Sequence, residues 1–265
     1  MVIEVDRPNR QERRRNGKSD ELDAIEAARA VLSGRASGIA KSADGDVEAI
    51  RALLVARRSG RNVRIKYLNQ IRHLGFTAPD ELRERLRDVP VDQLARTAAS
   101  LRPTPTAGSV THATKLAIRT LGRRVLALEA DSRHLDELIH LLVQRTAPSL
   151  LEVYGVGTHT AAILLVAAGD NPHRLKNEAA FAHLCGVAPL PASSGKTQQR
   201  FRLNPGGNRQ ANHALWRIVF TRMSSDERTR NYVARRLAEG RTTREIMRAL
   251  KRYIARELYP HLAAD

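Results

Sequence analysis

Between Leu121 and Leu142 a seam of side chains advances in alternating steps of four and three residues: Leu121, Val125, Leu128, Ser132, Leu135, Ile139 and Leu142. Such a heptad seam, polar only at Ser132, commits residues 113–145 to a long helix whose stripe another helix must cover. An Arg-rich stretch from Asp46 to Leu74 has the length to be that partner, in a coiled coil or an antiparallel pair. An amphipathic helix of an ordinary bundle is the plainer alternative, and the sequence leaves both open.

The flanks carry their own signals. Val2–Val5 reads as a short strand, followed by a basic, turn-like stretch, Pro8–Lys18. From Ser19 the pattern turns helical, with Ser19 as N-cap, Gly34 as stop, and Leu22, Ile25, Ala28 and Leu32 on one packing face. Residues 35–43 read as a loop. Pro79 and Pro90 mark helix starts in the region up to Ser100, and residues 101–109 break the chain with two prolines. Pro148 opens a different kind of sequence, with glycines, short apolar runs and a basic tail. The expected class is mainly α, in three parts: 1–40, a helical or coiled-coil region over 41–145, and a helix-rich domain over 146–265.

Composition narrows the partners. The chain of 265 residues has 45 Lys and Arg against 28 Asp and Glu, a formal net charge of +17. Of the basic residues 38 are arginine. Arginine keeps its charge and presents a planar fork that fits phosphate oxygens, so a polyanion, and nucleic acid first, is the expected partner. A GC-rich genome would also favour arginine over lysine, but it does not explain the surplus over acids. The 42% hydrophobic content excludes a wholly disordered chain. The single cysteine, Cys185, excludes an intrachain disulfide. The longest apolar run, Ala161–Ala168, is too short to span a bilayer, so no membrane partner and a reducing, cytoplasmic setting are expected. Aromatics make up 4%, too few for base stacking to be the principal mode of binding.

Three constellations point to phosphate chemistry. In Gly155-Val156-Gly157-Thr158, two glycines around one apolar residue allow a tight turn between helices, as in a helix-hairpin-helix. The backbone N–H groups of Gly155, Gly157 and Thr158 and the following helix start would face a DNA phosphate. A purely structural helix–helix turn is equally compatible. Ser193-Ser194-Gly195-Lys196 is followed by Arg200, Arg202 and then Gly206-Gly207-Asn208-Arg209 at the start of a helix. A serine hydroxyl there would attack a phosphodiester while Lys196, Arg200, Arg202 and Arg209 meet its oxygens, although no general base lies nearby and a solvated turn is the bland reading. Asp20 and Asp23, three residues apart at a helix start, would hold a hard divalent cation or simply complement the helix dipole. The tail, 222–257, is densely basic, with Ile246, Leu250, Ile254 and Leu258 on one face of its last helix.

In order along the chain, the segments Gly17-Lys18-Ser19-Asp20 with Asp23, Gly155-Val156-Gly157 with Thr160, Gly186-Val187-Ala188-Pro189 with Ser194-Gly195, and Gly206-Gly207-Asn208-Arg209 with Asn212 resemble the Piv-invertase-type insertion-sequence transposases. These are the DEDD recombinases, whose better-studied members are guided by a bridge RNA. The resemblance implies a RuvC-like (RNase H fold) N-terminal domain with an acidic tetrad, a coiled-coil middle and a C-terminal transposase domain with a nucleophilic serine. It places Asp20 and Asp23 at the last two acids of the tetrad, holding Mg²⁺, and Ser194 at the nucleophile. It further implies DNA as substrate, a structured guide RNA and a homo-oligomer. Only about one strand precedes the Asp20 helix, so residues 1–40 are expected to be the end of a RuvC-like domain lacking its other strands. Strand cleavage is then expected to be impaired and Val2–Val5 to be left as an unpaired edge. A non-catalytic DNA-binding protein and a dimerising regulator are the alternatives.

Overall fold

The computed structural model describes residues 2–5, 17, 19–36, 38–103, 109–191, 201–204 and 206–263. The chain divides into two compact units, one of Met1–Glu48 with Thr146–Asp265, the other of Ala49–Arg145. Among the described residues there are eleven α-helices and two small antiparallel strand pairs, so the protein is mainly α.

In the Ala49–Arg145 unit, α2 (Asp46–Phe76) and α5 (Val110–Thr146) run antiparallel. Arg57 is paired with Asp136 and Arg64 with Glu129, so the chain advances along one helix as it recedes along the other. Surface pairs of this kind are each worth at most about 1 kcal/mol, and their value is in fixing register. The heptad residues Val125 and Ile139 are buried, while Leu128, Ser132 and Leu135 are half-buried beside Ala56, Gly60 and Val63. Two short helices, α3 (Asp80–Arg87) and α4 (Val91–Ala99), start directly after Pro79 and Pro90. They close a core of Leu68, Ile71, Leu82, Leu94, Ala98, Ile118 and Val125.

Gly122 is the point of closest approach in that core. A Cβ there would lie 2.6 Å from the Ala99 nitrogen and 2.8 Å from the Ala98 methyl. Mid-helix glycine ordinarily costs about 1 kcal/mol relative to alanine. Here the contact reverses the sign, and Gly122→Ala is expected to lower the melting temperature rather than raise it, checked by circular dichroism. A stabilised variant would mean that α4 does not sit against α5 in solution.

The other unit is centred on α7 (Thr158–Ala168), whose Ala161, Ala162, Leu164, Leu165, Ala167 and Ala168 are all buried. It follows the short α6 (Pro148–Glu152), where proline takes the first turn. After α8 (Glu178–Leu184), β3 (Pro189–Pro191) pairs antiparallel with β4 (Phe201–Leu203). Then come α9 (Arg209–Ser225), α10 (Glu227–Ala238) and α11 (Thr243–Leu258). Helix α9 lies between α7 and α11, burying Ala211, Ala214, Leu215, Ile218 and Val219. Helix α11 buries Ile246, Leu250, Ile254 and Leu258, the face expected from its spacing. Each such aliphatic side chain contributes about 1.5–3 kcal/mol when fully buried.

Two expectations for the N-terminal segment are corrected. The first strand is not an unpaired edge: β1 (Ile3–Glu4) pairs with β2 (Gly38–Ile39), which lies in the stretch read as a loop. In α1 (Asp20–Leu32), Ser19 does cap, accepting from the Leu22 N–H at 3.1 Å, and Gly34 follows the end at φ +68°. Its packing face, however, is not Leu22–Ile25–Ala28–Leu32, because Ile25 is 42% and Leu32 88% exposed. The inward stripe is Leu22, Asp23, Glu26, Ala27 and Ala30. Two alanines on this stripe permit close approach, and buried Glu26 is neutralised by Arg29 at 2.8 Å.

Candidate functional site

The turn between α6 and α7 divides its two glycines between different tasks. Gly155 adopts φ +82°, a left-handed conformation that strains any side chain. A Cβ on it would face the Arg222 side chain at 3.3 Å and Ile218 at 3.5 Å, so Gly155 is committed to packing on α9. Arg222 donates from Nε to the Tyr154 carbonyl at 2.8 Å and locks the turn. Gly157 is exposed, with open space around it, and caps α7 in an extended conformation. Its N–H donates to Thr160 Oγ1 at 3.0 Å, and that hydroxyl donates back to the Gly157 carbonyl at 2.8 Å. Gly157 and half-buried Thr158 therefore present the start of α7 at the surface.

The Gly-Val-Ala-Pro and Gly-Gly-Asn-Arg motifs meet each other. Gly186, at φ +67°, and Gly207 touch backbone to backbone: a Cβ on Gly207 would lie 2.2 Å from the Gly186 Cα. The Asn208 N–H donates to the Leu184 carbonyl at 2.7 Å. The Asn208 side chain accepts from the Gln210 and Ala211 N–H groups and caps α9. Asn212 donates to the carbonyls of Cys185 at 3.0 Å and Gly186 at 3.1 Å, and accepts from Lys251 at 2.8 Å. Asn204 donates to the His183 carbonyl and accepts from the Gly206 N–H. The sequence marks Asn212 only as a motif position and Lys251 only as one of the basic residues of the tail, and it gives no sign of Asn204. Burial, and then the charge of Arg248, lowers the Lys251 ammonium below its ordinary pKa, while burial alone pushes the Cys185 thiol up to about 12.

This knot borders the strand pair. In the register Pro189↔Leu203, Leu190↔Arg202 and Pro191↔Phe201, the last pair flanks segment 192–200 on both sides. Arg202 therefore sits on β4, and Arg209 is the exposed first residue of α9. Ser194, Lys196 and Arg200 lie outside the described residues.

Asp20 and Asp23 lie in the first turn of α1, Asp20 exposed and Asp23 half-buried. Among the described residues no group of three or more His, Cys, Asp or Glu side chains is placed to hold a metal ion. Asp20 and Asp23 supply two carboxylates, and Mg²⁺ often binds proteins through only one or two while keeping several waters.

The segment bearing these acids is fastened to the link between α7 and α8. Asp170 caps α2 from a distance, accepting from the Val47 N–H at 2.8 Å and the Glu48 N–H at 3.2 Å. Asn171 donates to the Ala40 carbonyl at 2.8 Å, and Lys41 to the Val166 carbonyl at 2.6 Å. Arg174 reaches Glu4 at 3.0 Å and the Ala168 carbonyl at 2.9 Å. A cleft of about 500 Å³ lined by Glu4, Arg35, Arg174, His183 and Asn204 runs along this seam.

The C-terminal helices supply the cationic surface. Arg228, Arg230, Arg235, Arg241, Arg244, Arg248 and Arg256 are all exposed. Asp226 caps α10, and the Thr229 hydroxyl it accepts from is the chief cause of its lowered pKa. Thr242 and Glu245 form a capping box on α11, and the Thr242 N–H is the chief cause of the lowered pKa of Glu245.

A match to a family of known proteins falls within the unit that holds this knot. Residues 147–234 match the transposase IS116/IS110/IS902 family. That span runs from the start of α6 into α10 and includes the Gly155–Gly157 turn, both motifs of the knot and segment 192–200. A curated relative, an uncharacterised 43.6 kDa protein of insertion element IS110 from Streptomyces coelicolor, is 32% identical over 143 residues. The match takes in 53% of this chain and 35% of the relative, so the chain spans about a third of that relative's length. Among the described residues no helix is long and apolar enough to cross a membrane.

Proposed function

We propose that the chain acts as a DNA transposase or site-specific recombinase of an insertion sequence, of the Piv-invertase (DEDD) type, cutting and joining strands through Ser194. The observation that carries this reading is a coincidence of position. The span similar to insertion-sequence transposases contains the glycine–asparagine knot, and the knot borders the strand pair on either side of residues 192–200.

In this reading Ser194 Oγ attacks a phosphodiester phosphorus, a phosphoserine ester forms, and the deoxyribose oxygen leaves and takes a proton. Attack by a second strand's hydroxyl reverses the ester and joins DNA without an external energy source. Lys196, Arg200, Arg202 and Arg209 meet the negative charge that develops on the phosphoryl oxygens. With the Gly157 N–H held by Thr160, the positive end of α7 beside Gly157 and Thr158 faces a backbone phosphate, as in a helix-hairpin-helix. Asp20 and Asp23 would hold Mg²⁺, which when bound supplies Lewis-acid activation of an otherwise weak serine nucleophile. Residues 1–40 serve as the acid-bearing part of a RuvC-like domain. A structured guide RNA selects the DNA, and the α2–α5 pair, with Val55, Ile65, Leu116 and Leu141 exposed, assembles a homo-oligomer.

The test is a covalent protein–DNA adduct that survives denaturing gel electrophoresis. With only two acids for the cation, adduct formation is expected to be slow and to rise with Mg²⁺ into the millimolar range. Ser194→Ala should abolish the adduct and Ser193→Ala should retain it. An adduct that persists in Ser194→Ala overturns the serine assignment. DNA binding with no adduct under any condition leaves a non-catalytic DNA-binding protein.

A further inference from the structure

We propose that a cleft walled by α9, α10 and α11, next to the Gly155 turn, holds one unpaired nucleotide of a DNA strand. This rests on the DNA-acting reading above and adds to it a site for a base out of its duplex.

The cleft measures about 650 Å³, within the size range of ligand pockets, roughly 300–1,000 Å³. It gathers three of the five tyrosines in a chain otherwise poor in aromatics: Tyr154, Tyr232 and Tyr253. Tyr154 is 53% and Tyr253 56% exposed, so their rings are offered to whatever enters instead of being spent on the core. Tyr232 meets Tyr253 edge to face at 6.0 Å and 89°, giving two walls at right angles. Leu250 and Ile254, both buried, make an apolar floor. That combination suits a flat heteroaromatic ring, which stacks on aromatic side chains whatever its sequence identity.

The charges suit a phosphate attached to that ring. Arg228 is exposed at the cleft, and Arg256, also exposed there, is shared with Glu178 at 2.9 Å. The two acids beside them are already engaged: Glu257 takes both ends of the Arg222 guanidinium at 2.8 and 3.0 Å, and Asp226 caps α10. Arg222 also holds the Tyr154 carbonyl, so the first ring of the cleft and the turn proposed to contact a DNA phosphate move as one piece. A strand leaving its duplex at that turn has this cleft as its next surface.

The experiment measures binding of the full chain to fluorescein-labelled DNA by anisotropy. Three probes of equal duplex length are used: blunt, with a short single-stranded DNA overhang, and with the same overhang in RNA. The DNA overhang is expected to bind about tenfold tighter than the blunt duplex. Tyr253→Ala should erase that preference and leave blunt-duplex affinity unchanged, while Tyr253→Phe keeps it. Equal binding of blunt and overhang DNA overturns the cleft assignment and leaves the DNA-acting reading standing, whereas no binding to any duplex overturns that reading itself. A preference for the RNA overhang, or a preference that survives Tyr253→Ala, also overturns the assignment. Tyr253 is half in solvent, so unchanged circular dichroism is expected for both variants.

Discussion

Gly207→Ala is expected to remove about 3 kcal/mol of stability, the upper end of what overpacking costs, and to lower Tm by about 6–12 °C. The added methyl would sit 2.2 Å from the Gly186 Cα and 2.3 Å from its nitrogen. Both are backbone atoms, so no side-chain rotation relieves the clash. Gly186 cannot yield, because its φ of +67° is already one that only glycine adopts without strain, and Asn212 holds its carbonyl. Separation of the two loops would leave the Cys185 and Gly186 carbonyls without their donor and Lys251 without its acceptor. Gly157→Ala is the matched control: nothing lies within 4 Å of its Cβ and its φ is −102°, so the change should be close to neutral. Thermal unfolding followed by circular dichroism distinguishes them. If Gly207→Ala melts within about 1 °C of the parent, the loops do not touch as described.

The contrast between these two glycines shows what was legible in the sequence. Signals carried by neighbours along the chain were readable: the Ser19 cap, the starts behind Pro79 and Pro90, the α2 and α5 spans and the inner face of α11. Each depends on residues within one or two helical turns. What was missed joins residues far apart. Asp170 caps Val47, Lys41 holds the Val166 carbonyl, and Asn212 holds Cys185 and Gly186, contacts that no local spacing announces. Asp170, Asn171 and Arg174 carry no sequence signal, and their partners are the Val47 and Glu48 N–H groups, the Ala40 carbonyl and Glu4. The face of α1 was misjudged for a related reason. Large side chains at Ile25 and Leu32 mark a hydrophobic stripe, but close packing in this unit selects the small side chains of Ala27 and Ala30. For the candidate site, the motifs can be picked out along the chain, and the phosphate chemistry assigned to them is a proposal. The division between Gly155, committed to α9, and Gly157, open to solvent, required the fold.

Affinity for duplex DNA is expected to fall on the order of 10³–10⁵-fold between 50 and 200 mM salt, for six to ten phosphate contacts. A net charge of +17 alone does not require this, because arginines tied up in ion pairs release few counterions when DNA binds. The distribution of pairs decides it. Arg57 and Arg64 are engaged with Asp136 and Glu129 on the α2–α5 pair, and Arg222 with Glu257. Along α10 and α11 the acids are outnumbered: Glu239 lies beside both Arg235 and Arg236, and Glu245 lies 3.9 Å from Arg241. Arg228, Arg230, Arg244 and Arg248 are exposed on the same helices, with two ordered helix caps holding the backbone beneath them. Phosphate contacts from this surface carry no base information, so the loss with salt should be nearly the same for unrelated duplex sequences. Replacing Arg244 and Arg248 with Gln together should reduce the slope of log affinity against log salt by about 2 while leaving the fold intact. A slope near zero for the parent chain would mean that the arginine surplus is not a DNA surface, and an unchanged slope in the double variant would place the contacts elsewhere.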